Sequence, residues 1–346
     1  MKKLLFLGIL FLIVSLPVSA AGIVAPSVPD DVEQLLPQDQ QDFGTSLWYM
    51  IREAFSLGRP QMISSAKICM RVIATTLILA MIRSFNGKTK AVVELAGILA
   101  VAAILVGSVN SMIEVGTQTV WKISEYGKLL LPVMTAALAS QGGTISAASL
   151  YGATALFDTV LCNLIAQILI PMVYIYLLLS IINALSEDGI LHKLKDMCKW
   201  IMGWFFKLIL YVFTGYITIT GVISGTADQT ALKATKLTIS GMIPVVGGIL
   251  SDASETILVS AAVVKNAAGL SGMLAVIAVA ITPFLAIGAH YLLLKLTAAV
   301  SGIFAPKTVS LLLEDFSGAM GLVLAMVGSV CMIQLVSAVC FLKGMT

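Results

Sequence analysis

Few residues in this chain could do chemistry. The most conspicuous are Asp252 and Glu255, set three positions apart in a strongly apolar stretch. They follow Pro244 and the pair Gly247 and Gly248, and they precede the apolar run from Thr256 to Leu270. Ionisable groups at membrane depth are costly, so a carboxylate pair there suits an ion or proton path. The same D-x-x-E spacing before a helix is also that of a capping box, whose carboxylate satisfies free N–H groups and suits the helix dipole. Pro244, Gly247, Gly248, Asp252 and Glu255 therefore form a candidate helix cap or pathway lining, and the spacing favours the cap. Asn163 and Gln167, spaced i,i+4, and His290 are candidate polar contacts between helices within the membrane.

Other chemistries find little support. There is no P-loop and no H-E-x-x-H, and the only histidines are His192 and His290. No serine stands in a recognisable nucleophile context beside His290. The five cysteines, Cys69, Cys162, Cys198, Cys331 and Cys340, lie in or beside apolar segments without any C-x-x-C, and they read as small apolar residues. No catalytic, cofactor-binding or metal-ligating residue is assigned, no cofactor is expected, and a non-enzymatic protein is the expectation.

What must position the candidate residues is a set of membrane helices. The chain is 59% hydrophobic and 11% charged, with mean hydropathy +1.01, against roughly 25% charged in soluble domains. This composition implies an all-α polytopic membrane protein. A formal net charge of +3 without a basic block argues against a nucleic-acid partner.

In chain order, Lys2 and Lys3, an apolar run and the small residues Ala20 and Ala21 predict a cleavable signal peptide over 1–21. A polar, extracytoplasmic arm follows over 22–61, with Pro26, Pro29, Pro37 and several acidic residues from Asp30 to Asp42. The segment 62–90 holds a first span at 62–83, whose Lys67 and Arg71 snorkel near its outer end, and a basic loop with Arg83, Lys88 and Lys90. The positive-inside rule puts that loop in the cytoplasm. Further clear spans are expected at 91–113, 159–183, 201–223, 271–299 and 318–342, six in all, with a mixed loop over 114–128. Residues 186–200 pattern as an amphipathic interfacial helix, with Lys193, Lys195 and Lys199 off its apolar face.

Two apolar segments, 129–150 and 240–268, are interrupted and are read as re-entrant. They belong to an internal repeat. The spacing from Pro132 to Pro171 equals that from Pro244 to Pro283, and the register that lays Pro132 on Pro244 superposes the two units. The membrane region then divides into repeat 1 with the interfacial helix (91–200), repeat 2 (201–317) and a last span (318–346). Interrupted segments in two halves are the sequence pointer to a transporter-like central site. If each segment spans fully, the halves are inverted; if each re-enters, they are parallel.

The stretches Ser240-Gly-Met-Ile-Pro-Val-Val-Gly-Gly248, Ser251-Asp-Ala-Ser-Glu255 and Val264-Lys-Asn-Ala-Ala-Gly269 resemble the stage III sporulation protein AE family of endospore-forming bacteria. The resemblance extends in layout over nearly the whole chain. It implies a multi-pass subunit of the channel or feeding apparatus between mother cell and forespore, seated in the mother-cell membrane facing the forespore. It also implies partnership with the other stage III A proteins, including a secretion-type ATPase and ring-forming proteins, and a requirement in late forespore development. It brings no catalytic residues. The alternative reading, from the repeat alone, is a stand-alone secondary transporter.

Overall fold

A computed structural model describes residues 26, 29, 32–36, 43–85, 90–140, 144–186, 189–219 and 267–344. Among these, six long helices carry the architecture. They are α1 (Phe43–Phe85), α2 (Lys90–Ser140), α3 (Thr144–Leu164, Ile165–Leu169 and Ile170–Ser186, continuous), α4 (Gly189–Ile219), α5 (Ala267–Ser301) and α6 (Lys307–Gly344). All six are long and apolar enough to cross a membrane. Hydrocarbon cannot satisfy a free backbone group, and a helix satisfies every one internally. The all-α membrane class read from composition is the class observed. The expected signal peptide and most of the second interrupted segment lie outside the described residues.

The helices are longer than the spans expected of them. α1 starts at Phe43, inside the polar arm, and runs unbroken through Pro60 to Phe85. α2 is 51 residues long, about 76 Å at 1.5 Å per residue. It passes straight through 114–128, which composition reads as a loop. The reason is periodicity. Met112, Ile113, Gly116, Val120 and Ile123 are buried at helical spacing, while Glu114, Gln118 and Glu125 are exposed, so the charges occupy one face of a continuing helix. The amphipathic stretch 186–200 is expected to run straight into the span after it, and Gly189–Ile219 is one helix.

Pro132 does not interrupt α2, which continues to Ser140. A break between α2 and α3 can fall only at 141–143, outside the described residues. Two long helices therefore account for the described residues from Lys90 to Ser186, and the start of α2 and the end of α3 lie on one side of the bundle. In α3, Pro171 cannot donate to the carbonyl of Gln167, and the turns just before it widen to π geometry over Ile165–Leu169.

Side-chain contacts confirm a common end. Arg83 of α1 lies 3.9 Å from Glu94 of α2, and Thr308 of α6 donates to the same carboxylate at 2.5 Å. Thr76 and Ser301 are 3.3 Å apart. The end of α1, the starts of α2 and α6 and the end of α5 all meet here.

α6 and α5 form the centre and are the most deeply buried of the six, while α1 and α4 are the most exposed. α6 carries no charged residue from Phe316 to Leu342. Lipid tails are as apolar as leucine, so close packing at small residues must hold such helices together. Gly116 of α2 sits directly against Val323 of α6 and close to Ile287 of α5, whereas Gly107, on the same helix, faces open space. Gly116→Leu should force these helices apart at a cost of about 1–3 kcal/mol. A lower thermal midpoint in detergent for Gly116→Leu, with Gly107→Leu unchanged, is the expected outcome; equal midpoints would refute this packing.

Candidate functional site

The candidate site is a set of buried polar clusters where helices meet. The strongest lies near the common end. Lys195 of α4 donates from Nζ to Asp315 Oδ2 at 2.8 Å, and the hydroxyl of Tyr176 in α3 donates to Asp315 Oδ1 at 3.0 Å. The lysine and aspartate side chains are 5% and 14% exposed, and Tyr176 is fully buried. One carboxylate thus ties three helices with bonds on both oxygens, the one from lysine charged on both sides. Lys199, one turn beyond Lys195, lies beside Gly318, where a larger residue would crowd it. The sequence reading put Lys195 on the solvated side of an interfacial helix. In the structure that face of α4 turns inward, because Asp315 stands on α6 to receive the ammonium.

A second cluster joins α2, α3 and α6 nearer their other ends. Ser124 donates to Asp158 Oδ2 at 2.5 Å, and Asp158 is 2% exposed. Cys162 lies 3.9 Å from the other carboxylate oxygen. One turn before Asp158, Thr154 donates to Ser337 at 2.8 Å. The Gln334 amide packs directly on Gly127, and neither its Nε2 nor the Tyr126 hydroxyl has a hydrogen-bond partner among the described residues.

His290 is fully buried in α5. Its Nε2 is 3.4 Å from Ser108 Oγ of α2, while Nδ1 has no partner among the described residues. A serine beside a histidine invites a nucleophile reading, yet the contact is long and no described carboxylate orients the ring. The pair is a long polar contact between α2 and α5. Asn163 and Gln167 are exposed on α3, so neither makes the interhelical contact the sequence suggested. Tyr174 of the same helix donates instead to Asn110 of α2 at 2.7 Å. Pro244, Gly247, Gly248, Asp252 and Glu255 lie outside the described residues. Among the described residues no group of three histidines, cysteines or carboxylates is placed to hold a metal.

Sequence reasoning did not single out Asp315, Lys195 or Tyr176 as a site. The signal for Asp315 was present: it is the last charge before the uncharged run of α6, where a carboxylate must be paired or at the membrane edge. No comparable signal marks Tyr176.

Six apolar helices joined by buried polar clusters make this a polytopic α-helical membrane protein. The family model for stage III sporulation protein AE matches residues 31–343, and the chain belongs to that family. It is 23% identical over 284 residues to the stage III sporulation protein AE of Bacillus subtilis (strain 168), covering 81% of this chain and 70% of the relative. No solved structure matches it.

The charge cluster makes its own prediction. Asp315→Leu leaves Lys195 buried and unpaired and should lower stability by about 3–5 kcal/mol, while Lys195→Met with Asp315→Leu recovers most of that loss. Thermal midpoints of the purified chain in detergent report both. A single variant as stable as the parent would show that the pair does not clamp the helices.

Proposed function

We propose that this sporulation membrane protein is a non-enzymatic subunit of the channel or feeding apparatus between mother cell and forespore, needed for late forespore development. The observation that carries the reading is the extent of the family match. It runs through the bundle itself, residues 31–343, so what the family shares is the membrane body and not an appended domain. The partners in this reading are the other stage III A sporulation proteins, among them a secretion-type ATPase and ring-forming proteins. The location is the mother-cell membrane facing the forespore.

The packing supports a subunit over a stand-alone transporter. Val323, Val327, Val330 and Ile333, in the middle of α6, are all fully buried. A transporter of the interrupted-helix kind needs a polar site at mid-depth between its halves, whereas the polar groups buried in the described core, such as His290 with Ser108, stand as isolated interhelical pairs. The residues Pro244, Gly247, Gly248, Asp252 and Glu255 stay in this proposal as a helix cap or pathway lining.

The reading predicts that removing the gene from its spore-forming host arrests sporulation after engulfment has begun. It also predicts that crosslinked full-length protein, recovered from sporulating membranes, carries the ATPase and ring proteins with it. Normal yields of heat-resistant spores in the deletion strain would overturn the developmental role. Recovery without those partners, from a strain that does arrest, would overturn the channel assignment alone.

A further inference from the structure

The helices are too long for the bilayer, and the exposed polar residues show which part of them it covers. Along α1, Arg59, Lys67 and Arg71 are exposed; along α2, Glu114 and Gln118; along α3, Asn163 and Gln167; along α4, Lys207. Depth can be measured from the common end along the stretches Arg59–Arg83, Lys67–Arg83, Glu94–Glu114, Gln167–Ser186 and Gly189–Lys207. At 1.5 Å per residue, the far ends of these stretches lie about 24–36 Å from that end. Arg71 is nearer to Arg83, hence deeper, and reaches outward with its long side chain.

The contacts put the same level on the central helices. Gly58 faces Thr282, and Gly116 faces Ile287 and Val323. A polar belt thus surrounds the bundle about one hydrocarbon thickness, ~30 Å, from the charged common end. Between the two, Val72–Ile82 of α1, Leu95–Ile113 of α2 and Phe316–Val327 of α6 carry no charge.

Beyond the belt, charge returns to α1 and α2, while α4 carries none from Leu208 to Ile219. Arg52 is exposed on α1, and Lys122, Glu125 and Lys128 are exposed on α2. On α1 and α2 the exposed aromatic residues there, Trp48, Tyr49, Phe55 and Trp121, are interleaved with those charges, and Tyr151, Leu156 and Val160 are exposed on α3. Charge mixed with aromatic rings in this way is poorly solvated by lipid tails. Centring the bilayer on the uncharged run of α6 would submerge Glu114, Glu125 and Lys128 with their side chains facing outward, and charge is costly at that depth.

We infer that the bilayer covers only the common-end part of the bundle. Its outer headgroup layer meets the polar belt, whose Arg59, Lys67, Arg71 and Lys207 face lipid phosphates. The rest projects from the membrane: α2 from Val115 to Ser140 and α3 from Thr144 to Cys162, about 39 and 29 Å of helix. The side follows from the common end. The positive-inside rule is read on short loops, and the short loop between α1 and α2, with Arg83, Lys88 and Lys90, opens at this end, so we take the common end as cytoplasmic and the projection as extracytoplasmic. None of this depends on the channel assignment.

The test is cysteine labelling in intact cells, with the native cysteines replaced in the full chain and single cysteines placed at Glu125, Tyr151, Leu99 and Leu178. All four positions are exposed on the isolated bundle. An impermeant sulfonated maleimide added outside should label positions 125 and 151 more than ~10-fold faster than 99 and 178, which react only after detergent. Two results would overturn the inference: no labelling at 125 and 151 before detergent, or labelling there only by a permeant maleimide. Where the cysteine-free parent does not accumulate, hydroxyl-radical footprinting of the unmodified chain in nanodiscs reads the same contrast. Trp48, Trp121 and Tyr151 should be oxidised while Met70, 66% exposed but about 20 Å from the common end and within the covered part, is spared. Protection of the three aromatics equal to that of Met70 would overturn the inference.

Discussion

The arrangement of the other helices follows from how α6 is held. In water, a helix uncharged from Phe316 to Leu342 would be driven inward by hydrophobic burial. Where lipid surrounds the bundle there is no such drive, and only close contact and hydrogen bonding remain. α6 uses both. Its middle receives Gly116 of α2 without an intervening side chain. Its two ends carry the polar attachments, Asp315 to Lys195 and Tyr176 and Ser337 to Thr154. The attachments fix rotation and depth, and the glycine fixes separation.

The Asp315 cluster is a device for arrangement more than for net stability. Burying an ammonium and a carboxylate carries a desolvation cost that their attraction roughly repays, so an apolar pair of similar volume would hold the helices about as well. What an apolar pair would not do is choose a register. Tyr176 and Lys195 approach different oxygens of one carboxylate, and a shift of α4 by one turn would leave a charge bare in the membrane. The same logic applies to Ser124 on Asp158, which sets α2 against α3 nearer the opposite end of the bundle.

Much of this was legible in the sequence. The spans at 271–299 and 318–342 correspond to α5 and α6 because their apolar character is unbroken and needs no context. The continuity of α2 was not legible from composition, since Glu114, Lys122, Glu125 and Lys128 look like a loop until their spacing is set against the buried Ile113, Val120 and Ile123. Lys195 was misplaced for a related reason. On a helical wheel it sits off the apolar face, and only the approach of α6, from far later in the chain, makes that position interior. Asn163 and Gln167 failed in the opposite sense. Their i,i+4 spacing says that they share a face, which is correct, but not whether a helix covers it.

The lengths of the helices carry an argument that their composition does not. If the six helices served only to cross a bilayer, about 20 residues each would suffice, yet α2 has 51 and α1 has 43. The excess is ordered, because it packs on the same two central helices: Gly272 of α5 meets Leu130 of α2, and Gln334 of α6 meets Gly127. The described bundle therefore keeps one packed core along that length, so the register set by the Asp315 cluster at one end and by Ser124 on Asp158 near the other is imposed on the same core.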